Sequence, residues 1–422
     1  MNKTDHDVIV IGAGAAGIAA TTALKKAGHD VVCLEAAGRV GGRAHTDRSI
    51  FGVPFDMGAH WLHCAHVNAL VEPGRAMGLD IYESPERRMM HGLADGDDFW
   101  DQVERNFAAS KAAMEEDLEI ESRTGLPTDR SFADVFSAQG PWAATVKMIS
   151  GLSMARDLSD ISVRDMNTWA GGKDFFCREG FGHLLARMAE GLPITLDCPV
   201  TVIEARADGV SVSTSEKSLT ARAVVVTVSV GVLAEDVIRF DPPLEATHRR
   251  ALDLITMGDY NHAALLFEPG GLPLEADTWL GYRIEEEVAG IPRGGGFLCN
   301  IGGTGLTTMA TGGSFSRELQ AAGPQAAIDH ALEALVNIFG SSLRQHFIKG
   351  HATAWRKEPF VRGSYSGALP GGSEQREALR QPHAERVHFA GEATHRSQQA
   401  SVSGAWLEGE RIAADLTARL QP

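Results

Sequence analysis

The sequence predicts an α/β fold in which a dinucleotide-binding domain is interleaved with an α+β second domain. Three observations predict it. A β-branched strand runs into a glycine-rich turn within the first 17 residues, strand-like segments return in the middle and at the end of the chain, and a mainly helical stretch separates them. The chain has 422 residues, beyond the size at which one hydrophobic core keeps growing. Two domains are the expectation.

The N-terminal unit comes first. Asp7 to Ile11 is a short run of β-branched residues and reads as a buried strand. Gly14 to Ala27 is Ala-rich and reads as a helix, with Gly28 where a C-cap belongs. Val31 to Leu34 is the second strand, and it ends on Glu35. The turn between them reads Gly12-Ala13-Gly14-Ala15-Ala16-Gly17. A lone GxGxxG is weak evidence. Here it follows a strand, opens a helix and is answered 18 residues after Gly17 by the acidic strand end, which is the full Rossmann context. Gly12 permits the tight turn, Gly14 lets a pyrophosphate approach, and Gly17 lets the helix pack close to the sheet. The helix start, with Ala13, Ala15 and Ala16, offers free N–H groups and partial positive charge to phosphates. Glu35, with Ala36 beside it, is placed to accept ribose hydroxyls.

Residues 75–190 read as mainly helical: Asp101 to Arg123 at helical spacing, Ser131 to Phe136 with a capping serine, and Phe181 to Gly191. Strand patterns follow at Pro199 to Ala205, Gly209 to Thr214, Ala223 to Val228, His262 to Phe267 and Gly296 to Ile301. Pro324 to Phe339 reads as an amphipathic helix, Val387 to Ala390 as a short strand, and a last helix begins near Gly404. The expected division gives 1–75, 185–240 and 350–422 to the dinucleotide domain, and 76–184 and 241–349 to the substrate domain. A second nucleotide site is not expected. Gly302-Gly303-Thr304-Gly305 lacks the third glycine, the helix and the acidic strand end, and reads as a loop.

The formal net charge of −16 argues against nucleic acid or an anionic membrane as partner and is compatible with a cationic substrate. The five cysteines are scattered without CxxC spacing, so neither a disulfide framework nor a zinc site is expected. His60, His63 and His66 recur every three residues without a carboxylate ligand set, and no metal is expected. No signal-peptide core, twin-arginine motif or membrane-length apolar run is read, so a cytoplasmic protein is the expectation.

Just beyond Glu35, Arg39-Val40-Gly41-Gly42-Arg43 brings glycine backbone and a guanidinium fork to phosphate. This block resembles the FAD-dependent amine oxidase superfamily, which includes L-amino-acid oxidases. The resemblance extends along the chain. Gly58-Ala59-His60-Trp61, within Phe55 to His63, resembles the segment beside the flavin. Val200 resembles the residue whose backbone holds the adenine, and Trp355 through Tyr365 the substrate side of the ring. Gly391-Glu392 and Val402 resemble the C-terminal flavin motif. Polyamine oxidases are the members most resembled, because His63 and Asn68 fall where several of them carry a histidine beside the bound amine and an asparagine after it. The resemblance implies Tyr365, His63 and Ser401 at the substrate, with Trp355 and His262 near the reacting atoms.

Three departures from the family pattern stand out. His262 occupies the position of a lysine that holds a water at flavin N5, which bears on oxygen reactivity. Ser401 replaces the second ring of an aromatic cage, with Trp61 and Trp406 as other aromatic surface. Ser364 stands where covalent members carry cysteine, so the FAD is expected to be noncovalent. The implied reaction is oxidation of a neutral amine by hydride transfer to flavin, giving an imine and then an aldehyde or ketone, with O2 reduced to H2O2. A polyamine is the favoured substrate. Three alternatives stay open: an L-amino-acid oxidase using Arg164, Arg178 or Arg283 on the carboxylate, an amine dehydrogenase with another acceptor, and a flavin-binding protein without turnover.

Overall fold

The computed structural model describes residues 4–169 and 171–420. The N-terminal unit forms as β1 (His6–Ile11), α1 (Ala15–Lys26) and β2 (Val31–Leu34). β1 and β2 pair in parallel, from Val8 opposite Val31 to Ile11 opposite Leu34. Val8, Ile9 and Val10 are wholly buried, as a strand covered on both faces requires. They sit inside an eight-stranded sheet ordered Arg239–Asp241, Val200–Arg206, Gly209–Thr214, Ser218–Val226, β1, β2, Ile194–Thr195, with Val387–Phe389 also paired to Ser218–Val226. Strands from the beginning, middle and end of the chain therefore share one sheet. The last helix, Val402–Arg419, packs along α1.

A second sheet of six strands runs Phe347–Ala352, Tyr260–Phe267, Leu306–Gly312, Gly296–Cys299, Thr278–Tyr282, Arg88–His91. Its pairs are antiparallel except the last. The helix Pro324–Phe339 covers one face with Ile328, Ala331 and Leu335, against Leu265 and Phe267. The helices Phe99–Thr124 and Ala143–Leu152 build a third, helical layer.

Several expectations are corrected. The segment at Ser131 is one tight turn, Phe132–Asp134, although Ser131 does cap it through the Asp134 N–H. The Phe132 N–H, one of the free donors at a helix start, pairs with the Ile161 carbonyl. The stretch 75–190 contains three short strands, Ile81–Glu83, Arg88–His91 and Phe175–Cys177. Each is only three or four residues long, too short to show a period of two. The strand expected at Gly296 to Ile301 forms as Gly296–Cys299, and it pairs across residues 302–305 with a strand that was not expected, Leu306–Gly312. The helices Ala246–Leu254 and Gly313–Ala322 are not foreseen by the sequence reading. Among the described residues, no helix is long and apolar enough to cross a membrane.

Candidate active site

A cavity of about 730 Å³ runs from the turn at Gly12 to Tyr260, His262 and Tyr365. It therefore spans from the edge of the first sheet to the second. Of the expected site residues, all line it except Ala13 and Gly17. The reason is packing. Ala13 is wholly buried, and its N–H is donated to the Glu35 carboxylate at 2.6 Å. A Cβ on Gly17 would stand 1.8 Å from the Gly12 carbonyl oxygen, so that glycine serves the turn from inside. Gly12 itself has φ +98°, a region glycine alone adopts without strain. Gly14 differs: nothing lies within 4 Å of a Cβ built there.

This end of the cavity is made of backbone and charge. α1 starts at Gly14 with no side-chain cap and no acidic residue in its first turn, so its N–H groups stay available to an anion. Glu35 is held by the N–H groups of Ala13 and Ala37 at the end of β2. Arg43 is not a free fork. Its Nη1 donates to Glu392 at 2.7 Å and to the Ser364 carbonyl at 3.0 Å. Glu392 also accepts from the Ser366 N–H and hydroxyl and from the Ala400 N–H. Burial raises the Glu392 pKa, but the Arg43 and Arg376 charges and these hydrogen bonds outweigh it, and the carboxyl stays below its usual range. On the wall, the Ser364 Oγ and His60 Nε2 are buried without a protein partner. An open glycine, an uncapped helix start and two orphaned polar atoms along one cavity fit an elongated, phosphate-bearing cofactor.

The middle of the cavity is organised by one carbonyl. The Met57 oxygen accepts the Trp355 Nε1–H at 3.2 Å and lies 3.3 Å from His262 Nδ1. A carbonyl only accepts, so this contact assigns the proton to Nδ1 and leaves a lone pair on Nε2. Burial, with a push from His60, lowers the His262 pKa to about 4 against the pull of Met57 and Asp56. The ring is thus neutral at neutral pH. Behind it lies a chamber of about 60 Å³, lined by Asp56, His60, Tyr260, His262 and Thr308 among others. Its lining is mixed, with Phe55, Trp61, Phe297 and Leu306 beside those polar groups, and it is roomy enough for water.

The three spaced histidines do not converge. His60 pairs with Asp56 at 2.8 Å, and His63 pairs with Asp174 at 3.1 Å. His63 also lies parallel to Trp61 and edge-on to Trp169. The Asn68 side chain donates to the His63 carbonyl. Tyr365 is anchored by its hydroxyl to the Leu152 and Ser153 carbonyls. Ser401 lines the cavity, but its hydroxyl is the N-cap of the last helix, accepting from Gly404 and donating to the Gln398 carbonyl. Trp61 lines the cavity, whereas Trp406 lies in the core.

Arg164, Arg178 and Arg283 do not reach the cavity. Arg164 is taken by Glu121 and Glu374, Arg178 by Asp80, and Arg283 by Glu285. The only arginines on the wall are Arg39 and Arg43, at the Gly12 end. The observation behind an arginine clamp is thereby removed. Sequence reasoning missed the far wall, which includes Phe107, Leu152, Met154, Met166, Trp169 and Trp279. Ile149, Leu152 and Met154 come from one stretch at the end of the helix Ala143–Leu152, the others from two further helices, a loop and one strand, and no motif marks them.

A family model described as flavin containing amine oxidoreductase matches residues 15–417. The protein "Polyamine oxidase 4" of Oryza sativa subsp. japonica is 27% identical, over 98% of this chain and 89% of its own. Two solved structures share the fold. One is putrescine oxidase in its wild-type form bound to putrescine, with a TM-score of 0.81 at 20% identity, covering 98% of this chain and 99% of that one. The other is cyclohexylamine oxidase from Brevibacterium oxydans IH-35A, with a TM-score of 0.79 at 22% identity, covering 99% of this chain and 100% of that one.

Proposed function

The chain belongs to the flavin-containing amine oxidoreductases, and on that premise we propose how its residues divide the work of oxidising an amine with noncovalent FAD. The observation that carries the proposal is the single cavity joining the Gly12 turn to His262 and Tyr365. Bound FAD supplies a two-electron acceptor that takes hydride from the carbon bearing nitrogen. In this reading the first sheet and its loops hold the cofactor. The N–H groups at Gly12, Gly14 and the start of α1 would hold the pyrophosphate, and Glu35 the ribose. The Val200 backbone would hold the adenine, and Gly58, Ala59, Trp61, Trp355 and Val402 would hold the ring. Arg43 acts through Glu392, fixing that carboxylate beside Gly391.

The substrate amine must be neutral, because its lone pair drives the departure of hydride. The imine left behind hydrolyses to an aldehyde or ketone. Tyr365 and Trp61 flank the amine, and His63, polarised by Asp174, accepts a hydrogen bond from it. His262 offers Nε2 as an acceptor to a water between the ring and the second chamber. Polyamine oxidases among the relatives support a polyamine, as His63 does. O2 is the proposed acceptor. A second acceptor is favoured by one observation, the neutral His262 in place of a fixed ammonium. The site is proposed for a cytoplasmic enzyme.

The test is anaerobic mixing of the holoenzyme with a panel of amines and amino acids. Bleaching of the flavin by amines is expected, and no bleaching by any amine would overturn the reading in favour of a flavin protein without turnover. Peroxide release in air, compared with dye reduction, separates oxidase from dehydrogenase.

A further inference from the structure

Among the described residues, no acidic side chain lines the far end of the cavity. The carboxylates that do line the wall among them are Glu35, Glu358 and Glu392. Glu35 is bound to the backbone of the dinucleotide turn, Glu392 is paired with Arg43, and Glu358 lies close enough to Arg39 to act on its charge. All three belong to the cofactor end. Past Tyr365 the wall is instead formed mainly by apolar side chains such as Phe107, Leu152, Met154, Met166, Trp169 and Trp279, with Ser153 and Tyr260 as uncharged polar groups among them. Asp174 is near but does not line the space, and its oxygens are occupied by His63 and the Cys64 N–H.

We propose that the substrate is a monoamine with an apolar body, and that the chamber rejects a second ammonium group. This rests on the amine-oxidising reading and, within it, sets a monoamine against the polyamine that the relatives suggest. An ammonium taken out of water needs a carboxylate or several acceptors, and an apolar wall supplies neither. A hydrocarbon body gains by the same burial. Ser401, where a second ring is expected, leaves width beside the reacting carbon, so a broad or branched body is accommodated as well as a straight one.

The test uses the holoenzyme and two amines that differ only in the far ammonium, hexylamine and hexane-diamine. Flavin bleaching is followed anaerobically over a concentration series at one pH. Hexylamine is expected to give an apparent second-order rate at least about 100-fold above the diamine, the scale set by an unpaired buried charge. An equal or faster reaction with the diamine, or with spermidine, overturns this inference while leaving the amine-oxidising reading intact. Bleaching by neither amine, nor by any other in the panel, overturns both. A gain-of-function variant adds an independent readout. Ile149→Glu, or Phe107→Glu on a different helix, is expected to raise the diamine rate at least about tenfold relative to hexylamine by pairing the far ammonium. A diamine-to-hexylamine ratio unchanged in both folded variants would also count against the proposal.

Discussion

The two ends of the cavity are built by opposite means. At the Gly12 end, consecutive residues supply backbone N–H groups and missing side chains, joined by a half-buried Arg43–Glu392 pair. At the Trp279 end, apolar side chains arrive from separate helices and from the second sheet. The first end has little freedom, because a turn that must meet a phosphate dictates glycine at fixed spacing. The second is bounded only by volume and polarity, and many side chains satisfy those. In the proposed reading, one end holds the cofactor and the other sets the substrate.

The largest expected effect tests the rigid end. Gly17→Ala places a methyl against the Gly12 carbonyl oxygen, at 1.8 Å before relaxation, and backbone has to move. A loss of about 3 kcal/mol or more in stability is expected, with release of FAD, measured by urea unfolding and by flavin fluorescence. Gly14→Ala is the contrast. Its Cβ meets nothing in the protein and its φ is −75°, so stability without cofactor should hold while FAD affinity falls. Equal loss of apoprotein stability in both variants would show that the turn does not distinguish packing from ligand approach.

Next is the ion pair. Arg43→Ala leaves Glu392, a carboxylate that is almost wholly buried, without its nearest cation and held by its Ser366 and Ala400 hydrogen bonds. Breaking a buried pair on one side costs about 3 kcal/mol. Glu392→Gln removes the charge and keeps much of the shape, and is expected to cost less. Thermal unfolding with and without FAD measures both. If Arg43→Ala weakens FAD binding and leaves apoprotein stability unchanged, then Arg43 acts on the cofactor directly.

The contrast also explains what was legible in the sequence. The β1–α1–β2 unit and the acidic strand end were readable because each residue type there answers a local geometric demand, whereas the C-terminal Gly391-Glu392 block was readable only through its resemblance to the family motif. The strands Arg88–His91 and Leu306–Gly312 were not, since the first is short and the second follows glycines that resemble loop. The Asp56–His60 and His63–Asp174 pairs needed tertiary information for the second only. Asp56 and His60 are four apart, whereas Asp174 is more than a hundred residues from His63. The fate of Arg43 was invisible for the same reason, as its partner lies near the other end of the chain.

A smaller effect compares one buried histidine from each sheet. His388 lies in the strand Val387–Phe389, and burial, reinforced by Arg419 and Arg411, pushes its pKa down to about 4. His262 is pushed to the same value. Folding holds both neutral, so their contribution is present above the unfolded value near 6.5 and is lost as pH falls toward 4. Between pH 7 and pH 5 each shift is worth about 2 kcal/mol. His388→Gln is expected to flatten the stability profile by about that amount, read by urea unfolding at the two pH values, and to leave flavin chemistry alone. His262→Gln should flatten it similarly and also change the rate of flavin reoxidation.

The smallest effect sits where the two ends meet. Ser401 faces the cavity, yet its hydroxyl is spent on the helix that follows. Ser401→Ala removes an N-cap and should cost about 1 kcal/mol of stability without altering the relative rates of different amines. Ser401→Phe instead puts an aromatic ring into the width beside the reacting carbon. It should slow a broad amine such as cyclohexylamine about tenfold more than a slender one such as hexylamine, on the scale of a filled apolar pocket. Single-turnover flavin reduction measures both ratios. If Ser401→Ala shifts amine preference, the hydroxyl is a substrate contact, and polarity reaches further into the chamber than an N-cap allows.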